Sequence, residues 1–97
     1  MDIEIASSDN EILATWEDAK LFCFSLNING KTGWRLPTKE ELSEIYQSVN
    51  DFEEWYYWSS TEINGTNAWF QSMSDGYQYT NGKVIGGHYV RAIRSIP

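Results

Sequence analysis

Gly33-Trp34-Arg35-Leu36-Pro37-Thr38-Lys39-Glu40-Glu41-Leu42 reads as a sharp turn that feeds straight into a helix. Thr38 is a good N-cap, because its hydroxyl can accept from an amide of the first helical turn that has no partner within the helix. Glu41, three residues on, can reach back to the Thr38 amide and complete a capping box. Pro37 pushes Leu36 into an extended conformation and keeps the helix from starting earlier. Gly33 permits a backbone shape that a side chain would forbid. Trp34 and Arg35 are thus held between a turn and a rigid cap. The indole N–H of Trp34 needs a partner if buried, and Arg35 suits a bidentate pairing with a carboxylate such as Glu41. No nucleophile or base stands beside them, so the stretch is read as a structural corner.

Downstream, Leu42, Ile45, Tyr46 and Val49 follow helical spacing and predict a helix over 39–49, ended by Asn50-Asp51. Upstream, Thr15 caps a second helix with Glu17 and Asp18 in its first turn, and Ile12 and Leu13 lead into it. Trp16, Ala19, Cys23 and Leu26, with Phe22 alongside, form its buried stripe. Asn27, Asn29 and Gly30 end it. Both helices are expected to turn their apolar stripes to the core and to leave mostly charged outer faces. Before them, Ile3 and Ile5 alternate with acidic residues as in a short strand.

From Tyr56 onward the pattern changes. Asn64-Gly65, Asp75-Gly76 and Asn81-Gly82 are tight-turn dipeptides. Between them lie β-prone runs at 57–61, 68–73, 77–80, 83–85 and 89–96. A helical half followed by a strand half indicates an α+β fold, with two helices packed on a twisted antiparallel sheet. With 97 residues the chain makes one domain, 1–97.

Fourteen acidic and seven basic residues give a net charge of −7. An acidic surface repels phosphate backbones and anionic lipid, and no Lys/Arg cluster offsets this, so nucleic acid is not an expected partner. One cysteine forbids an intrachain disulfide, and one histidine beside it argues against structural zinc. The acidic, short-run N-terminus is neither a signal peptide nor a membrane-inserting span, which predicts synthesis in the cytoplasm and leaves incorporation into a virion open.

The order of motifs resembles the Lcl C-terminal domain family. It runs Thr15-Trp16-Glu17-Asp18-Ala19, then Gly33 to Thr38 with Glu41-Leu42, then Tyr57-Trp58-Ser59-Ser60-Thr61, Ala68-Trp69, Asp75-Gly76-Tyr77 and Val90-Arg91-Ala92-Ile93-Arg94. The family is catalogued as bacterial domains of unknown function, similar to C-type-lectin-like folds, to the formylglycine-generating-enzyme fold and to phage tropism determinants. The resemblance spans residues 12–96. It implies a C-type-lectin-like domain with its termini together, Ile3–Ile5 lying near residues 91–96. It also implies ligand binding without catalysis, often as a homo-oligomeric trimer on a cell or phage surface. Here the strand before the first helix is shortened, and Gln71 replaces an apolar residue. The acidic surface departs from relatives that bind sulfated polysaccharides through basic ones.

Among chemistries, a copper oxidase site needs more than the lone, helix-borne Cys23. Pairing Cys23 with His88 as a nucleophile is disfavoured by their placement in the chain. Glu62, Asn64 and Asn67 only faintly echo a calcium loop. No cofactor, metal or catalytic residue is therefore expected. The remaining candidates are aromatics and amides of the strand half: Asn67, Gln71, Tyr77, Tyr79, His88 and Tyr89. Tyr77 and Tyr79 share a face, and Gly86-Gly87 clear space beside His88 and Tyr89. Flat rings with amides suit a glycan or a protein receptor. The alternative is an assembly protein, such as a virion decoration, that uses the same face for oligomer contact.

Overall fold

Ile3 and Ile5 form β1 (Ile3–Ile5), which pairs antiparallel with the last strand, β7 (Ile93–Ser95), through Ile3↔Ser95, Glu4↔Arg94 and Ile5↔Ile93. The structure is a computed structural model that describes residues 2–49, 52–85 and 87–96. After β1 come a 3₁₀ turn (Ser8–Asn10), β2 (Ile12–Ala14), α1 (Trp16–Ser25), α2 (Lys39–Ser48), β3 (Tyr56–Glu62), β4 (Asn67–Ser72), β5 (Gln78–Gly82) and β6 (His88–Val90). The five central strands form one sheet in the order β2-β6-β3-β4-β5. All its pairings are antiparallel except β3–β6, which is parallel at Tyr57↔Tyr89, so the sheet is mixed and mostly antiparallel. The architecture is α+β.

The corner is built as its sequence predicts. Thr38 Oγ1 accepts from Glu41 N at 3.1 Å, and Glu41 Oε1 accepts from Thr38 N at 2.8 Å. The same carboxylate takes both terminal nitrogens of Arg35, at 2.7 and 2.9 Å. Arg35 exchanges backbone hydrogen bonds with Ile93 at 2.7 and 2.8 Å, Trp34 Nε1 donates to Lys31 O, and Gly33 takes φ +83°. The start of α2 is thereby tied to β7. Lys39 N donates to Thr61 Oγ1 and Ser60 N to Pro37 O, which ties the corner to β3 as well.

Each helix covers one face of the sheet. On one side Trp16, Ala19 and Cys23 of α1 pack with Trp34, Leu36, Trp58, Ala68 and Val90. On the other, Leu42 and Ile45 of α2 pack with Tyr57, Met73 and Ile93. Burial of the Cys23 thiol pushes its pKa up to about 12. Buried donors find backbone partners: Trp16 Nε1 bonds Ser59 O at 2.8 Å and Trp58 Nε1 bonds Ala14 O at 2.9 Å. Arg91, 1% exposed, bonds Ala6 O and pairs with Glu11 at 2.8 Å.

Several readings need correction. Ile12 and Leu13 are strand, because β6 supplies a partner through Ile12↔Val90. Asn81-Gly82 is not a turn: both residues lie in β5 opposite Ala68 and Asn67. The chain reverses after them, with Ile85 N bonding Gly82 O, so 83–85 is not a strand. The run 89–96 breaks into β6 and β7, with the guanidinium of Arg91 taken inward between them. The outer face of α1 is not charged throughout, since Leu21 and Phe24 stand 64% and 85% exposed. Asn50 and Asp51, expected to end α2, lie outside the described residues.

Candidate recognition site

Side chains of a strand alternate between faces, so register decides which residues share one. Trp58↔Phe70, Phe70↔Tyr79 and Ala68↔Asn81 place these on the α1 face, and Tyr57↔Tyr89 brings Tyr56 and His88 to it. The α1 helix fills the end holding Trp58, Ala68 and Val90. The other end stays open. There Tyr56, Tyr77 and Tyr79 are 50%, 66% and 44% exposed above a floor of buried Phe70 and His88.

The floor is rigid. His88 stacks on Phe70 with centroids 4.1 Å apart, Tyr79 lies 5.6 Å from Phe70, and Tyr56 meets both floor rings edge-on. Asn81 Nδ2 lies 3.0 Å from His88 Nε2. This contact joins β5 to β6 past two intervening strands, so the sheet curls and the face is concave. If Nε2 accepts from the amide, the neutral ring carries its proton on Nδ1, which has no hydrogen-bond partner among the described residues. Burial lowers the His88 pKa and keeps the ring neutral. The Tyr79 pKa is raised, first by desolvation and then by Asp75 and the hydroxyls of Tyr56 and Tyr77. Tyr56 and Tyr79 both pack on Phe70, and Asp75 accepts from the backbone N–H of Tyr77 at 2.9 Å. None of the three hydroxyls has a hydrogen-bond partner among the described residues.

The six residues singled out from sequence divide. Tyr77, just before β5, and Tyr79 stand at the open end with His88 as part of the floor; His88 is 8% exposed, so it supports the surface rather than presenting itself. Gln71 does not reach the surface. It lies 1% exposed beneath α2, donating to Leu42 O and accepting from Gln78, because the alternation of β4 turns it to the other side. Tyr89 is also on the α2 face, where it stacks on Trp55 at 4.2 Å. Asn67 sits opposite Gly82 at the far end of the β4–β5 ladder, held by the Asn64 side chain. Of Gly86-Gly87, Gly86 lies outside the described residues, and Gly87 takes φ +121° with open space where a Cβ would stand.

Sequence reasoning missed Tyr56, Phe70 and Asn81. Tyr56 was one residue outside the run read as a strand, although its alternation with Tyr57 and Trp58 was a usable signal. Asn81 was hidden by its resemblance to a turn. Among the described residues no group of three or more His, Cys, Asp or Glu side chains could hold a metal ion, and no helix is long and apolar enough to cross a membrane. A cleft of about 520 Å³ lies elsewhere, between Tyr46 and Val49 of the α2 end and Phe52, Glu54 and Met73. Among the described residues it brings together no set of reactive groups.

A curled, mixed sheet sandwiched by two helices, with a capped Trp-Arg-Leu-Pro-Thr corner and a concave aromatic end, defines a small α+β domain of one particular build. The chain belongs to the Lcl C-terminal domain family, whose sequence model matches residues 4–94. No curated protein matches the chain.

Proposed function

We propose that this domain is a non-catalytic recognition module that binds a glycan or a protein receptor at the open tyrosine end of its concave face. The observation that carries the reading is the trio of half-exposed rings, Tyr56, Tyr77 and Tyr79, whose hydroxyls have no partner among the described residues and whose floor is fixed by the Phe70–His88 stack. Rigid aromatic surface offers contact area at little entropic cost, and free hydroxyls add donors and acceptors. The one cysteine is buried with its thiol protonated, which fits a domain without covalent chemistry. By the family resemblance, the fold is C-type-lectin-like and the module is part of a phage or a cell surface.

The exposed Leu21 and Phe24 on α1 favour a second reading, in which the domain serves assembly through oligomer contact. A glycan array combined with sedimentation separates the two. Glycan signal from a monomer, reduced in Tyr79→Ala, supports recognition. A stable oligomer that is silent on the array and dissolves on Phe24→Ser supports assembly and removes the first reading.

A further inference from the structure

The two edges of the five-stranded sheet are protected very differently. The β2 edge is three residues long; Ala14 O is taken by the Trp58 indole, and the next helix begins at once. The β5 edge is longer, and its hydrogen-bonding parity can be read from both ends. Ser72 N donates to Tyr77 O at 2.9 Å, and Lys83 N donates to Thr66 O at 2.8 Å. With the register Phe70↔Tyr79 and Ala68↔Asn81, the backbone groups of Tyr77, Tyr79, Asn81 and Lys83 therefore face β4. Those of Gln78, Thr80 and Gly82 face away. Gly82 is consumed, its N–H by Asn81 Oδ1 and its carbonyl by Ile85 N. The N–H and C=O of Gln78 and Thr80 have no partner among the described residues. Natural edges are usually guarded by lysine, proline or a bulge, and Gln78–Gly82 contains none of these and no charge.

We infer that β5 accepts an extended, cationic segment of a partner polypeptide as a sixth strand. The inference rests on the recognition reading above and narrows its ligand to a peptide backbone. An added strand takes up the four ladder groups and alternates its side chains across both faces of the sheet. One set lies over Tyr77 and Tyr79 beside Asp75, where a guanidinium gains the faces of the rings and the carboxylate. The other set lies on the α2 side, where Lys39 already sits over Trp69 at 3.9 Å and a further cation is repelled. The recognised pattern is thus cationic and uncharged residues in alternation. The net charge of −7 works in the same direction, and it opposes a second copy of this chain at the same edge.

The test uses a fluorescent nine-residue peptide of alternating arginine and threonine, titrated by anisotropy at low salt. An alternating glutamate–threonine peptide and two forms N-methylated on either alternate set of amides serve as controls. The expected result is saturable binding of the cationic peptide alone. Methylation of one amide set weakens it at least tenfold and methylation of the other leaves it intact. Thr80→Pro, whose N–H makes no bond to β4, weakens binding by a similar factor, as does Tyr79→Ala. Should Thr80→Pro fail to fold, the methylated peptides still decide the matter. Absence of binding, or binding indifferent to both methylated sets, overturns the inference. If the peptide is silent while a glycan binds in a Tyr79-dependent way, the ladder inference falls and the recognition reading stands. If the chain instead forms a dimer that Thr80→Pro dissolves, the edge belongs to a second copy and the inference falls.

Discussion

The Trp34–Glu41 corner and the tyrosine end of the sheet are both rich in aromatic and polar groups, yet their satisfaction differs. At the corner the central polar groups are matched: one Glu41 carboxylate holds Arg35 and the helix cap together, and the Trp34 indole meets a carbonyl. At the tyrosine end the rings are packed, but their hydroxyls and the outward backbone groups of Gln78 and Thr80 have no partners among the described residues. A matched site contributes to stability and has nothing left to offer a partner. An unmatched, rigid site contributes little to stability and is available for contact.

That contrast can be attacked from either side, and the largest effect is expected in the buried framework. Arg91→Ala leaves Glu11 buried without its cation, and urea unfolding should show a loss of about 3–5 kcal/mol. A much smaller loss would mean that the inner face is not held by this pair. Arg35→Ala acts on a half-exposed, solvent-screened pair; its side chain is 38% exposed, so about 1–2 kcal/mol is expected from the same melts. Cys23→Ala should also cost about 1–2 kcal/mol through packing alone. The native thiol should resist a thiol-specific reagent at neutral pH, and rapid labelling would contradict its burial.

The pH response probes the floor of the open end. The pKa of His88 is lowered by folding, so above about pH 6.5 both folded and unfolded states hold it neutral. As pH falls from there toward the lower folded value, the unfolded chain binds a proton that the folded one refuses. Stability therefore declines through that window and levels off below it. Glu41, whose pKa is lowered chiefly by Arg35, adds a separate loss only as pH falls below 4.5. Denaturant midpoints measured stepwise in pH should show the upper step in the native sequence and not in His88→Gln.

The smallest effect on stability is expected where the effect on binding is largest. Tyr77→Ala and Tyr79→Ala should each shift the melt by no more than about 0.5 kcal/mol. Each should weaken partner binding by about 1–2 kcal/mol in titration. A large loss of stability would make these rings part of the scaffold and erase the contrast between the two regions.

The capping box and the Arg35–Glu41 pair were legible because they depend on residues three and six apart, where chain geometry alone restricts the outcome. The buried stripe of α1 and the pairing of β1 near the C-terminus were likewise foreseen, the first from spacing and the second from family resemblance. The candidate site was legible only in part. Tyr77 and Tyr79 were found by alternation, but Gln71 and Tyr89 were grouped with them although β4 and β6 turn these two residues to the α2 face.

By itself the sequence determined the two capped helices, the α+β class, the absence of a disulfide and the acidic character of the surface. These follow from local hydrogen bonding, hydrophobic spacing and composition. Only the tertiary structure decided the strand order, the parallel β3–β6 pairing and which aromatic rings share a face. It alone left the outward groups of Gln78 and Thr80 without partners among the described residues, and it kept the β2 edge to three residues. Such features depend on register between strands distant in the chain, and a shift of one residue there exchanges the two faces of a strand.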